Sequence, residues 1–190
     1  MLEIAKQIRQ SHDVPIVIMT YYNPVFRMGQ EKFFNLAKKS EVDGVIVPDL
    51  PVEEAADYVE AANKSGINTI FLAAPSTSNE RLAKIVECSS GFLYLVSHFG
   101  VTGTQSTVED STIQLIKRVL PFTSSKIPLA VGFGVSKPEH VAQIIRAGAD
   151  GVIVGSAFVN TIINCQENID KMLKELRATV SELKKATEFQ

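Results

Sequence analysis

Two glycine turns carry the clearest chemistry in this chain. Gly132-Phe133-Gly134 follows the apolar run Leu129-Ala130-Val131, and Gly155-Ser156 follows Val152-Ile153-Val154. Glycine lets backbone N–H groups come close to a ligand, and the first turn of a helix favours an anion, so both turns suit a phosphate. A lone GxG is a weak signal, because glycines also simply end parallel strands. Two such turns after consecutive strands point to one phosphate shared between them. A longer glycine loop, Ser97-His98-Phe99-Gly100-Val101-Thr102-Gly103-Thr104-Gln105, adds further backbone donors. Two titratable side chains compete for a chemical role: Asp49 after an apolar run, and His98, whose imidazole titrates near neutrality.

The elements that would position these groups alternate along the chain. Apolar runs at Pro15–Thr20, Gly44–Val47, Thr69–Ala73, Phe92–Val96, Leu129–Val131 and Val152–Val154 read as strands, with helical patterns between them. Met1–Gln10 is expected to be a helix by its Leu2, Ile4, Ala5 and Ile8, and Tyr21 to Phe26 a loop. Phe33, Phe34, Leu36 and Ala37 mark the next helix, and a further helix begins near Pro51 and ends at Gly66. Ser78 is a plausible N-cap. Ser106 with Glu109, and Ser136 with Glu139, have the spacing of capping boxes. Val141, Ile144 and Ile145 give the helix before Gly148 its apolar face, which leaves His140 on the exposed side. Ile169, Leu173, Leu176, Val180 and Leu183 stripe a longer last helix.

Composition narrows the class. At 190 residues the chain is expected to form a single domain, residues 1–190. A formal net charge of −2 with both signs interspersed gives no reason to expect nucleic acid. No apolar run has the length of a membrane span, and MLEIAKQIRQ is amphipathic and unlike a signal peptide. Cys88 and Cys165 lie far apart without metal-ligand spacing, so no metal is expected and a reducing, cytoplasmic setting is.

Six βα repeats with strands apolar almost throughout predict an α/β fold with a parallel sheet. An open doubly wound sheet usually carries its phosphate glycines after the first strand. Here they follow the last two, which is the arrangement after strands 7 and 8 of a TIM (β/α)8 barrel. Such a barrel needs about 250 residues, so strands 3 to 8 are expected here, about six of eight βα units.

The runs PIVIMTYYNPVF, GVIVPDLPVEE, YLVSHFGVTG, VGFGVSKPEHV and AGADGVIVGSAFV, in this order and spacing, resemble the tryptophan synthase alpha chain family. That resemblance implies a (β/α)8 barrel lyase of tryptophan biosynthesis, splitting indole-3-glycerol phosphate into indole and glyceraldehyde 3-phosphate. It implies a beta-chain partner that carries pyridoxal phosphate, with no cofactor in this chain. Carried over by motif, Gly103, Gly134, Gly155 and Ser156 would hold the substrate phosphate, and Tyr21, Tyr94 and Phe133 would line the pocket. Thr102 would belong to a closing loop. Asn23, Pro24, Phe26, Asp49 and Pro51 would face the beta chain, which takes Asp49 out of direct catalysis; His98 becomes a loop residue.

The resemblance also implies a glutamate that protonates the indole ring and an aspartate that stabilises charge on the indole nitrogen, before a retro-aldol-like cleavage. No residue of this chain matches either carboxylate; both would precede Met1, as in an N-terminally truncated alpha chain. No catalytic residue is therefore assigned. Two other readings stay open: a non-catalytic module that binds a phosphate ligand and a beta chain, and another phosphate-binding barrel enzyme using Asp49 or His98. Loss of two strands would leave apolar edges at Pro15–Thr20 and Gly151–Val154 that invite self-association.

Overall fold

Short apolar strands alternate with amphipathic helices and pair in parallel in both sheets, as the βα repeat requires. The structure, a computed structural model, describes residues 1–97, 110–132 and 134–188. These divide into two compact units, one of residues 1–73 and 77–93 and the other of residues 74–76 and 94–190.

In the first unit, α1 (Leu2–Arg9) precedes β1 (Val17–Met19), α2 (Tyr22–Met28) and α3 (Gln30–Lys39). Then come β2 (Gly44–Ile46), a 3-10 turn (Val52–Glu54), α4 (Ala56–Ser65), β3 (Asn68–Ile70), β4 (Leu72–Ala73) and α5 (Asn79–Cys88). Strand order is β1-β2-β3, with Val17 opposite Gly44 and Gly44 opposite Asn68. At Gly44 an added Cβ would meet Ile70 Cδ1 at 2.7 Å, so a larger residue there would require that side chain to shift. The core is aromatic: Phe34 lies 5.1 Å from Tyr58, whose ring is 6.3 Å from Phe71. Burial pushes the Tyr58 phenol well above its ordinary range. Gly66 ends α4 in the left-handed region at φ 70°.

In the second unit, β5 (Leu93–Val96, from Tyr94 onward), α6 (Asp110–Thr123), β6 (Leu129–Gly132), α7 (Pro138–Arg146), β7 (Gly151–Ile153), α8 (Ser156–Cys165) and α9 (Ile169–Lys185) follow in order. β6 lies between β5 and β7, with Val131 opposite Val152. Leu95, Leu129, Val131, Ile116, Val119 and Ile144 are fully buried between strands and helices.

Several expectations are corrected. Tyr22 to Phe26 belong to α2 and are not loop: the Tyr22 amide donates to Asp49 Oδ1 at 2.8 Å, and Pro24 sits in the first turn, where no helical N–H is lost. The third strand is split at Phe71, which is 4% exposed and turned onto Tyr58. The capping box at Ser136 does not form. Pro138 takes the first helical position, so Lys137 becomes the N-cap without a side-chain bond. His140 is buried, because the inner face of α7 runs through His140, Val141 and Ile144 and leaves Ile145 at its margin. The capping box at Ser106 and Glu109 lies outside the described residues.

Candidate functional site

Two strand-end features in the second unit build the candidate phosphate site. β6 and β7 are parallel neighbours, so the turns that follow them lie at the same end of the sheet. Gly134 is exposed with φ 81°, a backbone state that favours glycine. Gly155 is the N-cap of α8, exposed, with nothing within 4 Å of where a Cβ would stand. The first amides bonded within α8 are those of Phe158 and Val159, both to the Gly155 carbonyl. The amides of Ser156 and Ala157 therefore point out of the helix start, with the Ser156 hydroxyl beside them.

One wall of this region is held by Ser97, to which the sequence assigns no role. Ser97, buried at the end of β5, donates both its amide and its hydroxyl to the Gly132 carbonyl, each at 3.1 Å. A Cβ on Gly132 would meet Tyr94 Cε2 at 2.8 Å and Ile153 Cβ at 2.9 Å. Gly132 thus lets the Tyr94 ring lie across β6. Half-burial pushes the Tyr94 phenol above its ordinary range, so it stays protonated and can donate at neutral pH. Hydrophobic periodicity cannot reveal Ser97, since a polar residue after a strand normally reads as loop.

In the first unit the expected partner-facing residues gather at one place. Asn23, Pro24 and Phe26 lie on α2 after β1, and Asp49 and Pro51 follow β2; the Tyr22–Asp49 bond ties the two segments. Gln30 Nε2 donates to the Tyr22 hydroxyl at 2.6 Å, and the Tyr22 and Phe26 rings are 5.9 Å apart. Phe26 is 67% exposed and Tyr21 is 70% exposed, so the patch presents two aromatic rings to its surroundings. Thr102, Gly103, Phe133 and His98 lie outside the described residues. Among the described residues, no group of three or more His, Cys, Asp or Glu could hold a metal, and no helix is long and apolar enough to cross a membrane.

The family model of the tryptophan synthase alpha chain matches residues 1–188. The tryptophan synthase alpha chain of Pyrococcus abyssi is 48% identical over 172 residues, 90% of this chain and 68% of that protein. That of Methanothermobacter thermautotrophicus is 46% identical over 184 residues, 97% of this chain and 67% of its own length. A solved structure of the tryptophan synthase a2b2 complex from Pyrococcus furiosus superposes with a TM-score of 0.88 at 43% identity. It covers 96% of this chain, which spans 71% of that one. The chain thus spans about two thirds of the length of the relatives it matches.

Proposed function

Since the chain belongs to the tryptophan synthase alpha chain family, we propose that its second unit holds the phosphate of indole-3-glycerol phosphate on Gly134, Gly155 and Ser156. The family is one of lyases, and its fold is α/β of the (β/α)8 barrel class. The continuous match over residues 1–188 supports one barrel domain built of about six βα units.

The observation that carries the reading is the open start of α8 beside the Gly134 turn, at the same end of adjacent parallel strands. Oriented amides supply the positive field, so no lysine is needed. Gly103, outside the described residues, would add a further amide, and Thr102 the closing loop. Tyr94 and Phe133 would flank the indole and glycerol portions, with Tyr94 donating a hydrogen bond as a neutral phenol.

Neither carboxylate that the resemblance implies for cleavage has a counterpart among the 190 residues. The residues of this chain are therefore proposed to grip the substrate's phosphate, and no catalytic carboxylate is assigned among them. Asp49 is assigned to partner contact and not to catalysis: its Oδ1 accepts the Tyr22 amide, which ties it to the segment that carries Phe26. The patch of Asn23, Pro24, Phe26, Asp49 and Pro51 would dock a tryptophan synthase beta chain, the subunit carrying pyridoxal phosphate. The Pyrococcus furiosus relative forms such a complex. A cytoplasmic location fits this biosynthetic role.

Calorimetric titration with indole-3-glycerol phosphate tests the site. Ser156→Glu puts a like charge on the helix start and should weaken binding at least about tenfold, some 1.4 kcal/mol. Equal affinity of the variant would remove α8 from the site. Indole release at the rate of a full-length relative would place a catalytic carboxylate among these 190 residues.

A further inference from the structure

We propose, resting on the phosphate site described above, that Ser97 is a positioning residue for it: the Ser97 hydroxyl, acting through the Gly132 carbonyl, sets the turn that presents Gly134 to the substrate.

That turn needs a hold from outside itself. It leaves β6 through Gly132 and reaches Gly134 two residues on, and glycine is the residue whose backbone loses most freedom when it is fixed. A stiffer residue does not fit at the entry. A Cβ on Gly132 would meet Ile153 Cβ at 2.9 Å, and that atom, at the root of its side chain, cannot swing aside. Past the turn, Val135 is 2% exposed and seats the chain in the core again. Between these two anchors Gly134 stands exposed.

The entry anchor is doubled. Ser97 follows the last residue of β5 and is 1% exposed, and its amide and its hydroxyl both donate to the Gly132 carbonyl. The amide alone satisfies that acceptor and extends the pairing of β5 with its neighbour β6. The hydroxyl is therefore surplus to the fold. A carbonyl oxygen can accept twice, and a second donor restricts the rotation that a single bond leaves open. Because the peptide unit is planar, holding the carbonyl holds the plane in which the chain leaves the strand.

The same point is tied to the other half of the site. Gly132 lies against Ile153, the last residue of β7, and Gly155 at the start of α8 follows two residues later. Oriented amides hold an anion best when their directions are set before it arrives, so that binding does not have to order them. Ser97 supplies that order on the β6 side. A serine that served the fold alone would reveal itself in stability, whereas removal of this hydroxyl leaves no buried acceptor unpaired.

The test compares the whole chain with Ser97→Ala, which removes the hydroxyl and keeps the amide bond. The midpoint of urea unfolding should stay unchanged. In calorimetric titration the dissociation constant for indole-3-glycerol phosphate should rise at least about threefold, as for one lost hydrogen bond. Amide NMR during the same titration supplies a signature that a structural role would not. In Ser97→Ala the ligand-induced shift of the Gly134 amide should shrink, and that of the Ser156 amide on α8 should persist. If neither amide shifts in the wild-type chain, the phosphate site falls and the role of Ser97 with it. If both shift there, the role of Ser97 alone is overturned by equal affinity and equal shifts in Ser97→Ala, by shifts that shrink equally at both amides, or by a lowered urea midpoint with affinity kept.

Discussion

Asp43 and Asp150 stand just before β2 and β7, and both are used up in holding strands together. Asp43 Oδ2 accepts the Ile16 amide at 2.6 Å and pairs with Arg9; Asp150 Oδ2 accepts the Leu129 amide at 2.8 Å. At the opposite ends of β6 and β7, Gly134, Gly155 and Ser156 are exposed, and the first amides of α8 have no helical acceptor. The same βα repeat thus spends its polar groups on structure at one end and leaves them open at the other. Barrel enzymes divide stability and chemistry along the strand axis in this way. The difference predicts that substitutions at the amino ends change stability and leave ligand affinity alone, and that those at the carboxyl ends do the reverse.

The largest expected effect is at Asp43. Asp43→Ala leaves the Ile16 amide without its acceptor and takes one carboxylate from Arg9, whose side chain is only 15% exposed. Glu41 and Asp13 remain near that guanidinium, so the loss should be about 2 kcal/mol in urea unfolding. Asp150→Ala, which strips one amide bond and no ion pair, should cost about 1 kcal/mol. Neither should alter affinity for indole-3-glycerol phosphate by calorimetry. A binding defect in Asp150→Ala without loss of stability would break the division between the two ends.

A smaller effect separates two serines that read alike in the sequence. Ser78 caps α5 by accepting the Arg81 amide at 3.3 Å, so Ser78→Ala should lose about 1 kcal/mol. Ser136 lies two residues before Pro138, outside the N-cap position of α7, so Ser136→Ala should change stability by less than about 0.5 kcal/mol. Equal losses would mean that the Pro138 start of α7 is not the one populated in solution.

That pair also shows where sequence reading reaches and where it stops. The helices from α3 to α9 follow apolar spacing, a local property, and the strand-end glycines are legible because their neighbours on both sides are regular elements. Misread features depend on distant partners or on competing local rules. Tyr22-Asn23-Pro24 looks like a turn until Asp49, 27 residues on, accepts the Tyr22 amide. Ser136 and Pro138 both claim the start of α7, and proline, with its preset φ, wins. His140 counts as polar in any periodicity, yet the helix packs with it inside. Ser97 bonds to Gly132 across 35 residues, a pairing visible only once β5 and β6 lie side by side.

The finest comparison runs along one helix. Cys165 is the last residue of α8, 5% exposed, and its thiol donates to Glu175 Oε2 at 3.2 Å. That hydrogen bond, then burial and the Glu175 charge, push the thiol above its ordinary range, with Lys171 partly opposing. At the other end of α8, Ser156 stands where the open amides favour an anion. A thiol placed there by Ser156→Cys should be drawn below the ordinary cysteine value of about 8.5. The rate of iodoacetamide alkylation, followed by mass spectrometry from about pH 6 to 10, should therefore rise at position 156 at lower pH than at Cys165. Glu175→Gln should bring the Cys165 midpoint down and leave the other unmoved. Midpoints that coincide at the two ends of α8 would mean that its exposed start exerts no useful field on an anion. The phosphate would then have to rest on the Gly134 turn alone.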